Sequence, residues 1–219
     1  MPLVSAKALR RDRILQAAGR LFAHQGYHGT GTRQIAHLAS VSELTLFRHF
    51  NDKESLFWAT LDSHFAALDL QKDLFDKVAR QESAEVALPG ILELFADTAS
   101  YRPDLLRLIA VALVEMHPKG AVYIEERLSP AFMAIRQYVG GKIHAGRMRD
   151  LDCTTVTAAL TMTALTHAEF SRMLDKSRPL FNRQERSRAL SRFWLELLAP
   201  AESGHAQLPA AVKAEEHPC

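Results

Sequence analysis

Ser42, Glu43, Thr45, Arg48 and His49 crowd into one short stretch, bringing hydroxyl, carboxylate, guanidinium and imidazole groups together. That is the chemistry of base and phosphate recognition. A guanidinium pairs with guanine O6 and N7, a carboxylate accepts from the cytosine amino group, and hydroxyls serve either way. His49 and Lys53 suit phosphates, Ser42, Thr45 and Arg48 are best placed for bases, and Glu43 suits cytosine. Catalysis needs a converging nucleophile, base and stabiliser, and no spacing here marks one. P-loop, G-x-G-x-x-G, G-x-S-x-G and H-E-x-x-H patterns are all missing. The ten histidines are scattered, and His167 and Glu169, two apart on one predicted helix, face different directions. No catalytic residue, metal ligand or cofactor is expected.

The elements that must position these groups lie in residues 27–56. Ile35, Ala36 and Ala39 recur at helical spacing, with Gln34 three residues after Gly31, so Thr30, Gly31 or Thr32 caps a first helix over 32–39. Ser40-Val41 makes a turn. Val41, Leu46 and Phe50 then fall on one face of a second helix over 42–49, leaving the polar groups on the other. Upstream, Ile14, Ala18, Leu21 and Phe22 form the buried stripe of a bracing helix that Gly26 stops, preceded by a basic arm over 1–9. Downstream, Asn51 or Asp52 caps a helix beginning at Lys53, with Leu56, Phe57, Leu61, Phe65 and Leu68 on one face. Residues 1–60 carry eight basic side chains (Lys7, Arg10, Arg11, Arg13, Arg20, Arg33, Arg48, Lys53) against four acidic ones (Asp12, Glu43, Asp52, Glu54), a net of +4. The whole chain is only +2, so the remainder is −2. A basic end on a nearly neutral chain is the charge distribution that phosphate attraction requires.

The run V-S-x-x-T-L-F-R-H-F-x-x-K-E-x-L over 41–56, preceded by I-A-x-x-A and by F-x-x-x-G-Y, resembles the TetR family of bacterial transcriptional regulators. The likeness covers roughly residues 10–60. It implies an all-α homodimer whose helix-turn-helix heads read a palindromic operator in double-stranded DNA, with a helical body that binds a small effector and releases DNA. DNA contacts then fall on Thr32, Arg33, Ser42, Glu43, Thr45, Phe47, Arg48, His49 and Lys53. Three positions depart from the family pattern. Ser40 stands where glycine often supplies a left-handed turn residue, Leu44 where a small residue is common, and Phe47 where a tyrosine would offer a hydroxyl to a phosphate.

At 219 residues and 47% hydrophobic the chain can bury a substantial core. Its longest purely apolar run, Leu108 to Val114, is far short of a membrane span, so a soluble cytoplasmic protein without membrane contact is expected. Cys153 and Cys219 are too few for a disulfide framework or a zinc-spaced cluster. Organisation is expected as a DNA-binding domain over 1–52, an effector-binding and dimerisation domain over 53–199, and a disordered tail over 200–219. In the body, Leu88 to Ala99, Leu105 to Met116, Tyr123 to Ile143, Asp152 to Lys176 and Asn182 to Leu198 read as helices, with a kink at Pro130. Phe95, Tyr101, Met116, His117, Phe132, Tyr138, Met162, His167 and Phe170 are the candidate lining of an effector cavity, and their character favours an apolar or aromatic compound. Phe193, Trp194 and Leu197 beside the small-residue helix 152–176 suggest the dimer face. Two functions fit: a ligand-responsive regulator, either repressor or activator according to operator position, and an effector-independent DNA-bound scaffold of the same fold.

Overall fold

The computed structural model describes residues 5–66, 83–174 and 183–200. Those residues form nine helices and no strand: α1 (Ala6–Gly29), α2 (Thr32–Leu38), α3 (Glu43–His49), α4 (Lys53–Ala66), α5 (Ala84–Tyr101), α6 (Pro103–Glu115), α7 (Lys119–His144), α8 (Cys153–Leu174) and α9 (Arg183–Leu198). The chain packs as two compact units, one of residues 1–69 and 101–128, the other of residues 70–100 and 129–219.

In the first unit α1 to α4 share a core with α6 and the start of α7. Ile14, Ala18 and Phe22 of α1 meet Ile35 of α2, Leu46 of α3, Phe57 and Leu61 of α4, and Leu105, Leu108 and Ala112 of α6. Phe57 is its aromatic centre, edge-on to Phe22 at 5.2 Å, Tyr27 at 5.5 Å and Trp58 at 5.1 Å. Each such pair contributes about 0.5–1.5 kcal/mol beyond area burial. A polar seam joins α4 to α7: Lys119 pairs with Glu54 at 2.8 Å, and Tyr123 and Arg127 both donate to Asp62. Burial, then the bond to Asp62, push the Tyr123 phenol far above its usual value.

Three boundaries differ from the sequence reading. The helix expected after the basic arm over 1–9 already begins at Ala6, because the Ser5 hydroxyl accepts from the Ala8 N–H at 3.2 Å and caps it. Gly26 interrupts α1 as expected (φ 76°), but the chain resumes helix for one more turn. α7 starts at Lys119 and not at Tyr123, with Gly120 inside its first turn. A Cβ there would sit 1.7 Å from the Ala112 carbonyl oxygen, so this glycine marks a close approach of α6 and α7 and not a stop.

In the second unit Leu88, Ile91, Leu92 and Phe95 of α5, Ile135, Tyr138 and Val139 of α7, Val156 and Leu160 of α8, and Trp194 and Leu198 of α9 form one core. Helix α5 begins five residues before Pro89 and contains it, and α7 continues through Pro130. The two buried threonines of α8, Thr157 and Thr161, are satisfied by donating to the carbonyls of Cys153 and Thr157, at 2.7 and 2.9 Å. Asn182, with which the last helix was expected to open, residues 175 and 176 of the helix expected over 152–176, and the tail from 201 lie outside the described residues.

Candidate nucleic-acid interface

Helix α2 opens at Gly31, whose N–H is accepted by the Gln34 side chain at 3.0 Å. It closes in a Schellman motif: Ser40 N–H donates to His37 O and Val41 N–H to Ala36 O, both at 3.0 Å. The motif requires a left-handed residue at its pivot, and Ser40 takes that conformation with φ 53°. A non-glycine residue there costs roughly 1–2 kcal/mol. Ser42 then caps α3, its hydroxyl accepting from Thr45 N–H at 3.1 Å. Leu46 and Phe50 are buried in the core, which fixes the opposite side of α3 as the free face.

The structure distributes the predicted contacts unevenly. Arg48 is exposed and has no hydrogen-bond or ion-pair partner among the described residues. Leu44 and Phe47 are exposed beside it, at 64% and 41%. The Ser42 and Thr45 hydroxyls bond each other at 2.8 Å. Glu43 is held by α2: Thr32 donates to one carboxylate oxygen at 2.6 Å and the exposed Arg33 lies 3.9 Å from the other. Thr32, Arg33 and Glu43 therefore form a brace between the two short helices.

His49 is half-buried at the end of α3. Partial burial, then the charges of Lys7, Arg10 and Arg11 on α1, hold its pKa below the ordinary imidazole value. Arg11 lies over the Phe50 ring at 5.3 Å. Lys53, the first residue of α4, rests its ammonium 4.4 Å above the Tyr27 ring, and burial lowers its pKa while Glu115 pulls the other way. Glu115 also accepts the His28 N–H at 2.9 Å, pinning the last turn of α1. Asp52 caps α4 through Ser55 N–H at 2.6 Å, the main reason its carboxyl pKa falls below the usual range.

Sequence reasoning missed the convergence of Lys7, Arg10 and Arg11 on His49, although their i, i+3, i+4 spacing was a signal once helix reaches residue 7. It also missed Tyr27 and Glu115 around Lys53, which only tertiary packing reveals.

Of the candidate effector residues, Phe95 and Tyr138 lie buried in the core of the second unit, and Phe132 is half-buried on α7. Met116 packs in the core of the first unit. Tyr101, Met162 and His117 are exposed. The side chains of His167 and Phe170 lie outside the described residues. The second unit carries an open hollow of about 1130 Å³ along α7 and the turn after it, where Met133, Arg136, Gln137, Gly140, His144 and Met148 contribute, and none of the nine candidates lines it.

A helix-turn-helix with a buried inner face, a free outer face and cations at both ends defines the class of DNA-binding proteins. The model for "Bacterial regulatory proteins, tetR family" matches residues 14–60. The transcriptional repressor AcnR of Corynebacterium diphtheriae is 31% identical over 160 residues, spanning 68% of this chain and 75% of that protein. The transcriptional regulator RutR of Escherichia coli is 25% identical over 174 residues, 76% of this chain and 77% of that one. Among solved structures, Bacillus subtilis FadR in complex with stearoyl-CoA shares the fold with a TM-score of 0.66 at 17% identity, covering 85% of this chain and 98% of that one. The chain belongs to the tetR family of bacterial regulatory proteins and is a DNA-binding transcriptional regulator. No helix among its described residues is long and apolar enough to cross a membrane.

Proposed function

We propose that this regulator is a cytoplasmic repressor that binds a palindromic operator as a homodimer and leaves it when a small apolar or aromatic effector occupies the body. The observation that carries the reading is the outer face of α3, where Arg48 is unpaired among the described residues and exposed on the same short helix as the exposed Leu44 and Phe47, while the other side of that helix is locked into the core. Arg48 reads bases, Leu44 and Phe47 meet apolar base edges such as the thymine methyl, and His49 and Lys53 grip phosphates. Thr32 and Arg33 reach the backbone from the start of α2. Ser42, Glu43 and Thr45 contribute after exchanging internal partners for DNA.

The dimer reading is supported by Phe193 and Leu197, which α9 leaves exposed while Trp194 and Leu198 fill the core. Two such heads would meet half-sites about 34–36 Å apart, one turn of duplex. The effector reading is supported by the hollow on the second unit, by the aromatic pair Phe95 and Tyr138 in its core, and by the acyl-CoA bound in the Bacillus subtilis neighbour.

Selection of duplexes from a random library tests the reading, followed by binding of the enriched and scrambled sequences to two variants. Lys53→Ala should weaken both duplexes alike and reduce the salt slope by roughly 1, whereas Arg48→Ala should change which sequence is preferred. Failure to enrich any sequence would overturn the function. Equal losses on both duplexes for both variants would remove Arg48 as the base reader.

A further inference from the structure

Helix α1 and the end of α3 bring four nitrogen-bearing side chains to one place. Lys7, Arg10 and Arg11 share a face of α1 and all three are exposed. The charged groups that bear on His49 are these three cations, and no acidic side chain pairs with any of them among the described residues. Arg11 is additionally fixed over Phe50, the residue that closes α3, so the α1 cations are registered against the reader helix and do not trail as a loose arm. Like charges held together in the folded chain repel one another. The Ser5 cap and the α1 core stripe hold them there regardless, an arrangement an anion would relieve.

We propose that the start of α1 and the end of α3 form one composite surface that takes the phosphate backbone of duplex DNA, and that His49 is protonated as the phosphates arrive. The surface adds Lys7, Arg10 and Arg11 to the contacts of the helix-turn-helix, and the proposal rests on the DNA-binding function given above. Proton uptake follows from the change of neighbours. In the free protein partial burial, then the three cations, hold the His49 pKa below the ordinary imidazole value and so favour the neutral ring. In the complex, phosphate charge offsets those cations and favours the imidazolium. Operator affinity therefore rises as pH falls through the bound-state pKa, and levels off below the free-state pKa. The charged groups facing His49 from α1 are Lys7, Arg10 and Arg11.

The test is binding of the full chain to a labelled duplex by fluorescence anisotropy, across salt at fixed pH and across pH 5–8 at fixed salt. A Lys7→Ala/Arg10→Ala/Arg11→Ala variant should keep the wild-type melting temperature, because all three side chains are exposed. Its log-log salt slope should become less negative by roughly 2–3 per bound protomer, at about 0.9 for each phosphate no longer neutralised. His49→Gln should flatten the pH dependence of whatever duplex affinity remains, and a His49→Gln variant as pH-dependent as the wild type would overturn the proton uptake. A folded triple variant with an unchanged salt slope would overturn the surface, and wild-type affinity independent of pH would overturn the proton uptake. In both cases wild-type duplex binding leaves the DNA-binding function standing. Absence of any duplex binding by the wild type would overturn both.

Discussion

Replacing Ser40 by glycine should make the protein more stable. Ser40 is the pivot of the Schellman turn and holds φ 53°, where its Cβ crowds the following carbonyl. Relief of that crowding is worth roughly 1–2 kcal/mol. Glycine gives back roughly 0.4–1 kcal/mol by widening the unfolded ensemble. The net is a gain of about 0.8 kcal/mol, which at this chain length corresponds to a melting increase of roughly 2–3 °C. Urea unfolding followed by Trp58 fluorescence, in a Trp194→Phe background common to all variants, reads the first unit directly, since Trp58 packs against its core. Ser40→Ala is the control. Alanine suffers the same backbone crowding, so its stability should stay within a few tenths of a kcal/mol of the parent. A Ser40→Gly protein less stable than the parent would refute the strain. A Ser40→Ala loss above about 1 kcal/mol would mean that the hydroxyl, and not the backbone, holds the turn.

Gly120→Ala should act in the opposite direction: its Cβ would lie 1.7 Å from the Ala112 oxygen, so α6 and α7 must part. The same fluorescence assay should show a loss of about 3 kcal/mol, the upper end of ordinary overpacking, and an unchanged midpoint would show that the two helices yield freely. Leu197→Glu, on the exposed side of α9, should convert a dimer to a monomer in light scattering at micromolar concentration. A wild-type protein that is already monomeric would remove that face as an interface.

Much of the reader was legible because its signals are local. The Gly31–Gln34 pairing, the Ser40-Val41 turn and the Leu46–Phe50 inner face all lie within a few residues of the atoms they organise. What was hidden depends on distant neighbours. Residues 6–9 show no apolar period because Ala6, Lys7 and Leu9 are all exposed, so only the Ser5 cap announces that helix. Gly120 falls between the helices expected over 105–116 and 123–143, and becomes a packing residue only when Ala112 is brought beside it. The effector candidates were chosen by side-chain type, and type cannot say that Met116 belongs to one core while Phe95 and Tyr138 belong to another.

If α3 reads the operator as proposed, the brace between α2 and α3 limits how that operator can drift. Ser42, Thr45 and Glu43 already have partners on the protein, so a base gains from them only the difference between a new bond and the one given up. A substitution at any of the three also disturbs the α3 cap or the α2–α3 junction, and so carries a cost in folding as well as in recognition. Leu44, Phe47 and Arg48 hold no such second duty among the described residues. On the proposed reading of the operator they are the positions at which a new preference can be acquired by a single replacement, and a library randomised there should retarget this regulator with the least loss of folded protein.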